Sequence, residues 1–384
     1  MKYMGSKRWM LSNGLGHLIQ EQLQGAKRFV DLFSGSASVV HFAATSPRAV
    51  PVIASDIQQF SVALAEAVIT RTVPFDPAPI WIAWLERARR YLIRRRKLAA
   101  AEEANPPLYG GFTRDFVDQV RLRCEDDELP ITRAYGGYYF SRAQTLWIDA
   151  LRATLPKDPA QRSVALGALI AAASSCSASP GHTAQPFRPS RGAKEFLHDA
   201  WQRDVRFRTK QAMEALAGCY AKKTGSAQCK DANEAANTLK RGDLVFLDPP
   251  YSGVHYSRFY HVLETIAHGN CGPVCGTGRY PPPAERPRSP YSIASEAPGA
   301  LDKLLSSVAN HDAKAILTFP QRACSNGLSG SEVRSIADKY FRVESTFKRS
   351  RFSTLGGTKD EDGNGYGRRA RRKTHELILT LTPR

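Results

Sequence analysis

The sequence predicts a doubly wound α/β sheet interrupted by a largely helical insertion. Three observations predict it. A strand, a glycine turn, a helix, a second strand and an acid follow one another between Arg28 and Asp56. An apolar strand pattern resumes at Leu244-Val245-Phe246-Leu247 and ends in Asp248-Pro249-Pro250-Tyr251. Between them, over about residues 75–239, the chain turns helical, irregular and rich in basic side chains.

Taken in order, residues 28–33 read as the first strand, Ser34-Gly35-Ser36 as a turn and residues 39–44 as the helix after it. Residues 50–54 form a second strand running into Ser55-Asp56, and residues 61–70 its helix. In the middle region residues 80–104 predict one helix carrying Arg94-Arg95-Arg96-Lys97. A further helical stretch runs to Leu151, and residues 160–173 predict a buried helix. After Leu247 come a helix over 259–267, a Gly-, Pro- and Arg-rich loop over 271–290, a strand over 313–319 and a helix over 331–341. Strands over 342–347 and 375–382 close the pattern. Residues 354–373, first glycine-rich and then basic (Arg368, Arg369, Arg371, Arg372, Lys373), predict a loop. On this pattern residues 1–74 and 240–384 form one domain and residues 75–239 the insertion.

A chain of 384 residues is long enough for two or three domains with a substantial core. The formal net charge of +18 speaks to partners rather than to fold. Nucleic acid is the first candidate and an anionic membrane the second. No apolar stretch is long enough to span a bilayer, and Met1 to Arg8 lacks the apolar core of a signal peptide. The expected location is cytoplasmic, with no membrane partner. Seven cysteines, an odd number, fit a reducing compartment better than a disulfide framework. Cys271 and Cys275 lie near His261 and His268, but the spacing is too loose for a zinc set, so no metal is expected.

Asp31-Leu32-Phe33-Ser34-Gly35-Ser36-Ala37 sits between strand and helix. Glycine there lets the backbone approach a ligand at the C-terminal edge of the sheet. Asp56, one βα unit later, has the chemistry to accept from both hydroxyls of a ribose. The three-glycine dinucleotide fingerprint is absent, so an adenosyl ligand without phosphates fits better than NAD. Taken alone, the turn is equally a plain tight connection.

The Asp-Pro-Pro-Tyr turn says more. An exocyclic amine on a nucleobase is a poor nucleophile because its lone pair is delocalised into the ring. Two acceptors on its two hydrogens favour a pyramidal nitrogen and release that pair. The Asp248 carboxylate is one acceptor and the Pro249 carbonyl the other. Proline fixes φ and removes the N–H, so Pro249 and Pro250 stiffen the turn. Tyr251 can stack on the base. Extruding a base costs about a few kcal/mol, and stacking returns roughly 1–3 kcal/mol. Such a site works by positioning and electrostatics. The bland alternative is a strand-ending acid before a proline turn.

Four segments occur in a telling order: Lys2-Tyr3-Met4-Gly5-Ser6-Lys7-Arg8, Asp31 to Ala37, Ser55-Asp56-Ile57, and Leu247 to Tyr251. They resemble the motifs of the Dam-like DNA adenine methylases, in the alpha group of amino methyltransferases. The resemblance covers both ends of the α/β region and matches the middle by position. It implies a Rossmann-like S-adenosylmethionine-dependent methyltransferase sheet with an inserted helical target-recognition domain. It also implies S-adenosylmethionine as methyl donor and double-stranded DNA as partner, with transfer to the N6 amino group of a flipped adenine. Cytosine N4, an RNA adenine, or a catalytically weak DNA-binding homologue are the alternatives. By position, Tyr3, Lys7, Asp31, Phe33, Gly35, Ser36, Asp56, Ile57 and Asp248 would contact the cofactor, with Lys7 near its methionine carboxylate. Asp248, Pro249, Pro250 and Tyr251 would be catalytic. Where the family usually has a second glycine this chain has Ala37, which fits if the backbone there is helical. The recognition sequence, a cognate restriction enzyme and the oligomeric state stay open.

Expected DNA contacts fall on the basic and aromatic segments. Arg94, Arg95 and Arg96 suit phosphates or a solvated helix face. The loop with His182, Gln185 and Arg188, followed by Arg191, holds the amide, aromatic and guanidinium groups that bases and phosphates use. Arg258, just after the catalytic turn, either supports the displaced base or starts a helix.

Overall fold

The computed structural model describes residues 7–103, 109–353 and 371–384, which divide into two compact units. Of the described residues, 7–57, 230–256, 288–353 and 371–384 form the sheet unit, and 58–103, 109–229 and 257–287 the helical unit. The strands are β1 (Arg28–Asp31), β2 (Val52–Asp56), β3 (Ser226–Cys229), β4 (Asp243–Leu247), β5 (Lys314–Pro320), β6 (Phe341–Ser353) and β7 (Arg371–Pro383). Of these, β3 belongs to the helical unit.

Within the sheet unit the strand order is β2-β1-β4-β5-β7-β6. The first four are parallel, and β7 runs antiparallel to both its neighbours. Every residue of β4 is buried, which explains its continuous apolar run. Leu301, Leu304 and Val308 of the helix Ala297–Asn310 share one core with Val245, Leu247, Leu317 and Leu379. The order puts the C-terminal ends of β1, β2 and β4 side by side, and with them Asp31, Asp56 and Asp248. Pairing of Pro320 with Glu376 sets Glu376 of antiparallel β7 at the end of β5.

The last two strands are longer than their sequence pattern predicts. β6 continues to Ser353, and β7 begins at Arg371, so the backbone of Arg371, Arg372 and Lys373 is strand rather than loop. The ladder of backbone hydrogen bonds carries the hairpin past the point where apolar alternation stops. Arg368 and Arg369 lie outside the described residues.

The helical unit is built around the helix Pro159–Cys176, which packs against Gln59–Ile69 and Val205–Ala217. A Cβ at Gly167 would lie 2.8 Å from that of Ala67, so glycine sets the close approach to the first of these. The expected single helix over 80–104 is two, Pro77–Arg94 and Leu98–Glu102. Arg96, at φ 54°, ends the first: its N–H reaches Ile93 O (2.9 Å), and Lys97 N–H reaches Leu92 O (2.9 Å). That is a Schellman close with arginine in the usual glycine position. Lys97 then pairs with Asp127 at 2.8 Å.

The sequence pattern brackets the insertion at 75–239, whereas contact also gathers Gln59–Ile69 and residues 257–287 into the helical unit. One reason is Glu264, whose carboxylate accepts from the N–H groups of Gln59 (2.9 Å) and Phe60 (3.0 Å). It thus caps a helix that lacks a side-chain cap of its own. No helix among the described residues is long and apolar enough to cross a membrane.

A second buried carboxylate, Asp149, accepts from Ile131 N (3.0 Å), Thr132 N (2.8 Å) and Thr132 Oγ1 (2.7 Å). Burial outweighs these bonds and pushes its pKa up to about 7. The unfolded chain titrates this group near ~3.9. Between the two values the folded state holds a proton that the unfolded state has lost, so stability from this site falls as pH rises from about 4 to about 7. The thermal midpoint of the wild type should therefore drop more steeply from pH 5 to pH 8 than that of Asp149→Asn. Parallel profiles would refute this.

Candidate active site at the sheet edge

Asp248 ends β4 and is gripped from two sides. Thr318 Oγ1 on β5 donates to it at 2.8 Å, and Lys7 Nζ lies 2.9 Å from the same oxygen. Lys7 also donates to Glu376 on β7 at 2.7 Å. Lys7 and Glu376 are only 5% and 6% exposed, so this is a buried cation between two acids. Burial opposes the charge on Lys7, but the joint pull of Asp248 and Glu376 outweighs it and holds the ammonium above the usual lysine range. For Asp248, burial raises the pKa, and the pull of Lys7 and the bond from Thr318 offset only part of that rise. A buried carboxylate without such a partner would simply take up a proton.

The turn after Asp248 is braced by the loop after β5. Asn326, fully buried, donates through Nδ2 to the carbonyls of Pro250 (2.8 Å) and Tyr291 (3.0 Å). Gly253 N–H donates to Ser325 Oγ (2.9 Å), and a Cβ at Gly253 would lie 2.7 Å from Ser325 O. The Pro250 carbonyl is therefore committed to Asn326, and the peptide before it, bearing the Pro249 carbonyl, is held in place. Tyr251 is half-buried against the sheet core and stands edge-on to Tyr256, with ring centroids 6.4 Å apart.

The glycine turn closes beside these groups. Gly35 has φ 47°, a left-handed conformation suited to glycine, and its N–H donates to Asp56 Oδ2 at 2.8 Å. Ser34 N–H donates to Ser55 O (3.1 Å), and Lys230 N–H to Asp56 O (2.9 Å), so the ends of β1 and β2 are laced together. Ser36 and Ser38 share a hydroxyl–hydroxyl bond of 2.9 Å. Phe33 meets Tyr291 edge-on at 5.1 Å, and Ile57 is half-buried after Asp56. Burial pushes the Asp31 carboxyl well up; its bond from Phe33 N–H (3.1 Å) opposes this, and the charges of Asp248 and Asp56 add to it. The Ser34 hydroxyl is buried with no hydrogen-bond partner among the described residues. Tyr3 lies outside them.

Ala37 departs from the expectation attached to it. Its backbone is left-handed (φ 56°, ψ 16°), not right-handed helical, and the residue is fully buried where the following helix begins. The turn imposes a glycine-type conformation on a residue with a Cβ.

Thr318, Glu376 and Asn326 are the residues that sequence reading missed. In hindsight Thr318 stands out as a buried polar side chain in the apolar run of β5, and Glu376 as a buried acid just before the apolar run Leu377-Ile378-Leu379 of β7. Nothing local marks Asn326.

The predicted DNA-contacting residues all lie in the helical unit. Arg94 is exposed. Arg95 stacks on Tyr91 at 3.8 Å and faces Glu128 at 3.7 Å, and Arg96 closes the helix. Gln185, Arg188 and Arg191 are exposed. His182 is buried against Phe259, its Nδ1 accepting from Ala184 N–H at 3.2 Å, so it shapes the loop. Arg258 is exposed over the Tyr280 ring at 4.7 Å. His261, near the cysteines, is buried, with its ring nitrogens 3.1 Å from Arg258 O and 2.8 Å from Gly278 O.

A family model described as D12 class N6 adenine-specific DNA methyltransferase matches residues 3–271. The chain belongs to that family. The matched span takes in the glycine turn, Asp56 and the Asp248–Tyr251 turn; Thr318 and Glu376 lie beyond it. The chain is also similar to the modification methylase LlaI of Lactococcus lactis subsp. lactis, with 23% identity over 314 residues. That alignment covers 77% of this chain and 43% of the relative, so the chain spans less than half of the relative's length.

The left-handed Ala37 makes a direct prediction. A Cβ in that conformation costs roughly 1–2 kcal/mol, which glycine would recover against its greater unfolded-state entropy and the lost buried methyl. Ala37→Gly should therefore leave the thermal midpoint nearly unchanged, while Ala43→Gly, equally buried but within the helix Ser38–Thr45, should lower it clearly. Equal losses would contradict the assignment.

Proposed function

We propose that this chain methylates the N6 amino group of adenine in double-stranded DNA, using S-adenosylmethionine, on a base flipped out of the helix. The observation that carries the reading is the fixed Asp248 carboxylate, held by Lys7 and Thr318 at the end of β4 with the following turn braced by Asn326. Membership of an adenine-specific family supports the choice of base.

The residues at the edge fit the proposed cofactor. Asp56, Asp248 and Glu376 outnumber the single ammonium of Lys7, an electrostatic balance suited to a ligand carrying positive charge. The Ser34 hydroxyl, without a partner among the described residues, and the left-handed Gly35 suit close approach of a polar ligand that carries no phosphate. Asp56 would hold the ribose while its other bond fastens the turn. When bound, S-adenosylmethionine supplies an electrophilic methyl group on a sulfonium sulfur.

The chain's own residues do the rest. Asp248 and the Pro249 carbonyl accept the two amine hydrogens and steer the nitrogen lone pair toward the methyl group. Lys7 keeps Asp248 anionic, so that it accepts rather than donates. Tyr251 covers the face of the base. The helical unit supplies the recognition surface, with Gln185, Arg188, Arg191 and Arg258 reaching the DNA. By analogy with a modification methylase, a restriction enzyme cutting the same unmodified site is its expected partner.

Plasmid DNA incubated with the protein and S-adenosylmethionine should yield N6-methyldeoxyadenosine on nucleoside mass spectrometry. Asp248→Ala should lower the yield by at least about 10³-fold while DNA affinity stays within a few-fold. N4-methyldeoxycytidine in its place would reject the substrate, and near-normal turnover by Asp248→Ala would reject the mechanism.

A further inference from the structure

In the helical unit, an open groove of about 730 Å³ runs between the helix Pro77–Arg94 and the segment that joins Arg142–Ala153 to Pro159–Cys176. Its walls carry Arg87, Arg90, Arg94 and Lys157 against one carboxylate, Asp158, and its floor includes Ile80 and Leu155. Arg87, Arg90 and Arg94 recur at helical spacing and so share one face. The opposite face, with Trp84, Ala88 and Leu92, is buried, and Trp84 Nε1 donates to Leu151 O at 3.0 Å. The three guanidinium groups are thus mounted on a helix seated by its apolar side. Asp158 spends its carboxylate on capping, accepting from Gln161 N–H at 2.9 Å. Arg90 meets Glu86 in an exposed pair at 3.0 Å, which a stronger anion would displace at little cost. Among the described residues neither Arg94 nor Lys157 forms an ion pair.

We propose that this groove holds one sugar–phosphate strand of the DNA. Arg87 to Arg94 spans about 10 Å of helix at ~1.5 Å per residue, long enough for the three guanidinium groups to reach neighbouring phosphates of one strand. Guanidinium forks suit phosphate oxygens, and the apolar floor suits the sugar edge. The surface carries no base-reading pattern, so it contributes grip and register rather than sequence choice. The inference deepens the reading above and rests on it for DNA as the partner.

The test is fluorescence anisotropy of a labelled duplex titrated at several salt concentrations. The triple variant Arg87→Gln, Arg90→Gln, Arg94→Gln should bind at least about tenfold more weakly at low salt. The slope of log affinity against log salt should fall by about 2–3, near 0.9 per lost phosphate contact. In the methylation assay the same variant should show a raised KM for DNA. The control is Lys210→Gln, Lys222→Gln, Lys223→Gln, which removes the same charge from exposed lysines elsewhere; it should shift the slope little. A groove variant that keeps the wild-type slope, or a control that loses as much, overturns the proposal. Because the readout is binding, it stands apart from the nucleoside assay: a wild type that binds with the full slope yet transfers no methyl group would defeat the catalytic reading and leave the groove in place.

Discussion

The sheet edge depends on one buried cation. Lys7 sits 2.9 Å from Asp248 and 2.7 Å from Glu376, enclosed almost completely by protein. Each acid alone would be costly to keep ionised at that depth, and so would the lysine. Together they are tolerable, and the arrangement fixes the carboxylate that follows β4 in position while Lys7 opposes the effect of burial on its charge. Everything proposed for that acid presupposes this balance.

The topology makes the balance possible. Parallel β1, β2, β4 and β5 present their C-terminal ends to the same edge, and antiparallel β7 sets Glu376 there. Asp31, Asp56, Asp248, Thr318 and Glu376 therefore come from five neighbouring strands. The lysine comes from the other end of the chain, 369 positions from Glu376. A site assembled across adjacent strand ends is rigid where loops alone would not be. Asn326 extends that rigidity to the turn by tying Pro250 to Tyr291.

Much of this was legible beforehand because it is written locally. Strand, glycine turn, helix, strand and acid follow one another between Arg28 and Asp56, and each step has its own physical signature. The place of Asp248 at the end of an apolar strand, before two prolines and a tyrosine, is readable in the same local way. What stayed hidden was non-local or conformational. Thr318 lies 70 positions from its partner, and the Asn326 bond to Pro250 spans 76. The left-handed state of Ala37 and the helix break at Arg96 occur at residues that give no glycine signal. The extended β6–β7 hairpin is held by backbone pairing, which leaves no hydrophobic period to read. His182 looked like a polar contact residue, and burial against Phe259 turned it inward.

The most direct test of the buried-cation account is a mutant cycle read by reversible unfolding. Lys7→Met leaves two facing carboxylates uncompensated and should cost about 3–5 kcal/mol. Adding Asp248→Asn should recover a substantial part of that loss, because it removes one of the stranded charges. If the two substitutions instead destabilise additively, the lysine is not there to balance the acid, and the account of the site fails.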